Sequence, residues 1–215
     1  MSLSCRTDSP HANSAARKHQ VTRAPHAHLL TNAGVWSPDS EWIAYDIRSD
    51  TPGAGFDGSR IEAVNARTGE IKTLYEAKNG AHCGVVTWNP RAWQVVFILG
   101  PENPTPDWQY DFSHRQGVIV DWAKPGVAFN LDARDLTPPF TSGALRGGSH
   151  VHVWDAHGEW VSYTYNDALV ESDIRDIAVS APHERVSVSK DHARNHPGEY
   201  FSVLVSHTIA KPTPG

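Results

Sequence analysis

The sequence predicts an all-β protein: a β-propeller of four-stranded antiparallel blades, present in part, as about three blades and the start of a fourth. Three observations carry this. Tryptophan occurs eight times in 215 residues, and six of the eight recur in pairs on one template. The segments they mark are short, β-branched and aromatic, without the 3.6-residue spacing of a helix. Turn residues punctuate those segments at close intervals, as hairpins require.

The opening stretch, MSLSCRTDSPHANSAARKHQ (1–20), is polar and reads as a flexible tail. It has no apolar segment of the kind a secretory signal needs. The propeller domain is expected over 21–215, with blades at about 26–80, 81–140 and 145–190 and an incomplete fourth from 199. GVWSPDSEWIAYDIRS (34–49), VVTWNPRAWQVVFILG (85–100) and VHVWDAHGEWVSYTYN (151–166) align on the repeat. Trp36, Trp88 and Trp154 close the first strand of each and are expected to be largely buried at equivalent positions. Trp42, Trp93 and Trp160 open the second strand. Pro38-Asp39-Ser40 and Ala156-His157-Gly158 supply turn chemistry between the two. In the first repeat, Arg60-Ile61-Glu62-Ala63-Val64, a turn at Ala66-Arg67-Thr68-Gly69, and Ile71-Lys72-Thr73-Leu74-Tyr75 complete four strands. The proline-rich stretch from Pro101 to Trp108 reads as an ordered loop inserted in the second blade. Trp108, Tyr110 and Phe112 there either pack over the blade edge or form a sugar- or protein-binding surface. Ser202-Val203-Leu204-Val205-Ser206 reads as the strand that opens the fourth blade. Unpaired, it would template association, so self-association through an open blade edge is expected.

Net charge is −5, which argues against a broad phosphate-binding footprint and hence against nucleic acid as a partner. No apolar run approaches the roughly 18 residues of a membrane span. The two cysteines, Cys5 and Cys83, form no CxxC and read as free thiols. A soluble cytoplasmic protein is the expectation. Nucleophile chemistry has no sequence support, because no Gly-x-Ser-x-Gly elbow occurs. Arg146-Gly147-Gly148-Ser149 lacks the Lys-Ser/Thr ending of a phosphate loop and reads as an approach to an inner strand.

The strongest chemical signal is His150-Val151-His152. Two residues apart on a strand, the imidazoles are expected on one face, where they can share Zn²⁺ or Mn²⁺ given a third ligand. His82, just before the matching strand of the second blade, is the candidate third ligand. The competing reading has these histidines bonding neighbouring backbone. Arg146, His150 and His152 also form a candidate ligand-binding set, Arg146 suiting a carboxylate. Asp57 is a further polar candidate. Asp167, Glu171 and Asp173 read as solvated loop charges.

SPDSEWIAYD resembles the propeller repeat of the TolB family. GAHCGVVTWNP, GPENP, YDFSHRQGVIV, LTPPFTSGALRGGSHVHVW and GEWVSYTYND resemble an uncharacterised bacterial group of TolB-like propellers, the YidR-like group, over roughly residues 18–215. The resemblance implies a TolB-like fold. Because the group is uncharacterised, it implies little chemistry. Its members run on for several more blades, so this chain is expected to be a fragment, a truncated product or half of an assembled ring. They often carry histidine just after Tyr-Asn-Asp, where this sequence has Ala168. Oligogalacturonate lyases are also TolB-like propellers and bind a divalent metal through channel-facing histidines, but their motifs do not match here residue by residue. The expected function is a non-catalytic platform for an unknown protein or an acidic oligosaccharide. The alternative is a divalent-metal-dependent carbohydrate-active enzyme, a polysaccharide lyase.

Overall fold

The computed structural model describes residues 18–49, 55–170 and 175–206. Cys5, Glu171, Asp173 and most of the expected tail lie outside these. The strands are β1 (Trp42–Ile47), β2 (Arg60–Asn65), β3 (Ile71–Glu76), β4 (Cys83–Trp88), β5 (Gln94–Leu99), β6 (Gln116–Asp121), β7 (Ala128–Asn130), β8 (Ala133–Arg134), β9 (Ala144–Leu145), β10 (Gly147–Trp154), β11 (Val161–Asp167), β12 (Asp176–Val186) and β13 (Gly198–Leu204). No helix occurs among the described residues, so none is long and apolar enough to cross a membrane.

Three antiparallel sheets follow one another along the chain. They are β1-β2-β3, β4-β5-β6-β7 and β10-β11-β12-β13, each in sequence order as propeller blades are. The first blade has only a rudimentary inner edge, made by isolated bridges from Leu29 to Asp46 and from Trp36 to Ile43. The short parallel pair β8-β9 links the second blade to the third.

One boundary read from the sequence is corrected. The strand expected to open a fourth blade is β13, and it pairs with β12 from Ala178↔Leu204 to Val186↔Gly198, completing the third blade. The cause is length: the connection from β12 to β13 runs through residues 187–197, so the outer strand arrives later than the repeat suggested.

Period-two alternation lets the middle sheet bury both faces. Val95, Phe97, Val118 and Val120 meet Ala44, Ile61, Ala63 and Leu74 of the first blade. Val96 and Ile119, pointing the other way, meet Val161, Tyr163, Tyr165 and Ala178 of the third. Each fully buried Val, Ile or Phe adds roughly 1.5–3 kcal/mol over its exposed state. Trp88 and Trp154 are buried as expected, at 2% and 7% exposure, but Trp36 is 47% exposed. Trp88 belongs to the first of these cores and Trp154 to the second. The equivalent space for Trp36 lies beyond the first blade, where the described residues place no sheet.

The inner strands β4 and β10 share an irregularity. Register shifts fall between Gly84 and Thr87 and between His150 and Val153. At the matching positions Val85 and Val151 take φ of 61° and 58°. A β-branched residue there is strained, and the bulge turns the residues after it relative to those before.

At the far end of the third blade, Gly158 closes the hairpin with φ of 73°. Its carbonyl accepts a 2.8 Å hydrogen bond from Asn89 Nδ2, tying the second blade to the third. A Cβ at Gly158 would lie 2.2 Å from Asn89 Oδ1. Gly158→Ala is therefore expected to cost about 1–3 kcal/mol, from the left-handed backbone and the overpacked contact together. Thermal unfolding of the variant checks this.

Candidate functional site

The bulge separates the two histidines. His152 is fully buried, and its Nε2 lies 3.0 Å from Ser149 Oγ. Ser149 Oγ in turn donates to Asp132 Oδ1 at 3.1 Å, and that oxygen also accepts the Gly117 N–H at 3.0 Å. With the serine proton directed at the carboxylate, Nε2 carries the imidazole proton and donates to Oγ. The residue types are those of a nucleophilic triad, but the proton path is wrong for one. The serine faces no base, and all three side chains are shut off from solvent. This is a structural network joining the second blade to the third. Burial holds His152 neutral, with a pKa lowered to about 3, and pushes Asp132 up to about 6.

His150 lies on the near side of the bulge, half-buried, with Nδ1 unpartnered. Burial, and then the positive charges of Arg115, Arg175 and Arg48, lower its pKa to about 4. His82 is half-buried and contributes backbone pairing, accepting the Gly100 N–H at 2.6 Å. Among the described residues, no three His, Cys, Asp or Glu side chains are grouped so as to hold a metal ion. The expected His82, His150 and His152 metal site is therefore not assembled, because the bulge turns His152 into the core. Arg146 is committed elsewhere. It pairs with Asp167, and its guanidinium carbon sits 5.0 Å from the Phe140 ring centroid. Asp57 accepts the Ser49 N–H at 3.0 Å within its own loop.

What gathers around His150 is a set of arginines that sequence reasoning missed. By register, the β1–β2, β5–β6 and β11–β12 connections leave at the end of the sheets where β4 and β10 begin. Arg48 follows β1, Arg115 precedes β6 and Arg175 precedes β12. Arg48 pairs through Nε with Asp46 at 2.8 Å and lies 5.4 Å from the Phe56 ring. The Arg115 guanidinium lies 4.7 Å from Phe112 and 5.9 Å from Tyr110, and that of Arg175 lies 5.3 Å from Phe112. Phe56 and Tyr110 stack at 5.0 Å. Arg115 is only 2% exposed, yet its Nη2 has no hydrogen-bond partner. Burial and the nearby Arg175 charge lower the Arg115 pKa. Arg115 Nε donates to the Phe112 carbonyl at 3.3 Å, and Tyr110 and Asp111 offset part of its charge, while Arg175 adds a like one. A guanidinium with one donor still unmatched, beside a like charge and aromatic walls, is equipped to accept an anion.

Residues 82–196 match the family model described as "Protein of unknown function (DUF3748)", and the chain belongs to that family. It is 50% identical over 201 residues to the "Uncharacterized protein YidR" of Escherichia coli (strain K12), a match covering 91% of this chain and 47% of that protein. The chain thus spans about half the length of this relative, and the resemblance to the YidR-like group drawn from its sequence strings is shown. The crystal structure of TolB from Acinetobacter baumannii aligns with a TM-score of 0.44 and 12% identity, over 69% of this chain and 30% of that one.

Proposed function

We propose that this protein is a binding platform for an anionic ligand, held at the mouth where Arg48, Arg115 and Arg175 converge beside His150. Carboxylate-bearing oligosaccharides are the first class to test. The observation that supports the reading most directly is Arg115, buried and with Nη2 unpartnered among cations. A buried donor left without a partner costs about 1–3 kcal/mol, and a bound carboxylate would offset that cost. The aromatic walls of Phe56, Tyr110 and Phe112 suit the apolar face of a sugar ring.

Isothermal titration of the 215-residue chain with an oligogalacturonate and with a neutral maltooligosaccharide tests the reading. Only the acidic probe should bind at this site, and Arg115→Ala should weaken it roughly tenfold or more, as a charge-assisted hydrogen bond of about 1.5–3 kcal/mol implies. Undiminished binding in a folded Arg115→Ala variant would sink the proposal. So would an equal affinity for the neutral probe that is likewise lost with Arg115.

A further inference from the structure

We propose that two copies of this protein pair through the outer face of the third blade, the face turned away from the second. Three hairpins close on the same hydrogen bond, from the Ser37, Asn89 and Asp155 N–H groups to the Trp42, Gln94 and Trp160 carbonyls. Two residues further on, Ala44, Val96 and Ser162 therefore stand at one position, and their cross-strand partners are Ala63, Ile119 and Val179. In the first two blades the next sheet covers these side chains. Ala44 and Ala63 are shut under the second blade and Val96 and Ile119 under the third, all with no exposure. Trp42 likewise meets Trp122 of the second blade edge-on, with centroids 4.8 Å apart.

Among the described residues, no sheet covers the same face of the third blade. Trp160, the counterpart of Trp42, is 52% exposed, and Val153, Ile177, Val203 and Val205 are exposed as well. Ser162 lies between Val153 and Val179 in the register, and Val203 follows Val179. None of these positions carries a charge. The patch amounts to roughly 500 Å² per copy, as large as the largest apolar patches of monomeric proteins, and to about 1,000 Å² over a pair, the threshold of a specific contact.

The back of the first blade does not offer a second bare face to receive it. Val21 packs there on Tyr45, Ile47 and Val64, and the His28 ring lies 4.9 Å from that of Tyr45. Those three residues are at most 7% exposed. A head-to-tail contact would have to displace this strap, whereas a self-complementary one does not. One bare face per chain thus meets its like, about a two-fold axis. An axis running across the strands keeps the two sheets aligned, as packed sheets are. It lays Trp160 of one copy at the aliphatic end of the other, formed by Ile177 and Val205. The row Val153, Ser162, Val179 and Val203 then lies on the axis and faces its own counterpart, so Ser162 meets Ser162.

Sedimentation velocity of the 215-residue chain from about 1 to 200 μM tests this, the range in which a small apolar interface equilibrates. The chain should pass from monomer to dimer and stop there. Ser162→Lys and Ser162→Asp, each checked for native circular dichroism and melting, should each raise the dimer midpoint at least tenfold, because like charges then meet on the axis. An equimolar mixture of the two should restore the dimer, an effect that a merely structural disturbance cannot produce. Trp160→Ser, which brings no charge, should also raise the midpoint about tenfold. A wild-type chain that stays monomeric overturns the proposal. So does a dimer whose midpoint is unmoved by these variants, which would place the contact elsewhere, as at the β13 edge. Growth beyond the dimer, or folded charge variants that stay monomeric when mixed, would exclude the two-fold pairing.

Discussion

Replacing Arg134 with methionine is expected to destabilise the protein by about 3–5 kcal/mol, the cost of breaking a buried charged network by removing one partner. Arg134 heads the fully buried large side chains. Its Nε donates to the Gly147 carbonyl at 3.2 Å, and its Nη2 donates to those of His114, at 3.1 Å, and Arg115. One side chain thus closes backbone groups at the start of β6 and at the start of β10, fastening two blades. Burial pulls its pKa down to about 10, while Asp132 pulls it back up. Methionine fills similar volume but leaves the carbonyls without that donor and Asp132 without its cation. Arg134→Lys should recover little, since one ammonium cannot reproduce the guanidinium's planar, divergent donors. Adding Asp132→Asn to Arg134→Met should recover part of the loss by removing the stranded carboxylate. Urea unfolding of the three variants measures this. A loss under about 1 kcal/mol for Arg134→Met would mean that water replaces the guanidinium at low cost.

The blade architecture was legible because it is written in the residue types that create it. Paired tryptophans, period-two strands and turn residues specify hairpins locally, and the repeat specifies how they stack. The site was less legible for two physical reasons. The first is the bulge at Val151: strict alternation puts His150 and His152 on one face, and nothing in the composition of a β-branched inner strand announces a positive φ. The second is that the arginines lie far apart in sequence and are brought together only by stacking of the blades. A signal was nonetheless present. Arg60, Arg115 and Arg175 each stand three residues before a buried core residue of the third strand in their blade, namely Ala63, Val118 and Ala178. In the first blade this arginine faces Glu62, with Nη2 3.5 Å from Oε1. In the other two it lies close enough to His150 to lower that ring's pKa. Reading the repeat for charge as well as for tryptophan would have found Arg115 and Arg175, though not Arg48, which follows β1.

Stability should fall steeply as pH drops from about 6.5 towards 4, beginning well above the range where ordinary carboxylates titrate. Three histidines are held neutral in the folded state: His150 at about 4, and His152 and His196 at about 3. His150 faces Arg48, Arg115 and Arg175; His152 faces Ser149 and Asp132, with His150 and Arg115 near; His196 faces Arg134. In the unfolded chain each takes up a proton near pH 6.5, so below that pH the unfolded state binds more protons and gains on the native state. Asp132 works the other way. Its folded pKa is raised to about 6, so from there down towards 4 the native state binds a proton that the unfolded carboxyl lacks. These four strongly shifted groups alone give unfolding a net uptake of about two protons near pH 5; His28 and His114, also lowered, add to it, and Asp46, raised by burial, subtracts. Each net proton is worth roughly 1.4 kcal/mol per pH unit. Urea midpoints from pH 7 to 4.5 give the slope, and His152→Asn should reduce the uptake by about one proton. A flat profile over that range would show that the buried imidazoles already reach water in the native state, and that the blade junctions are looser than their packing implies.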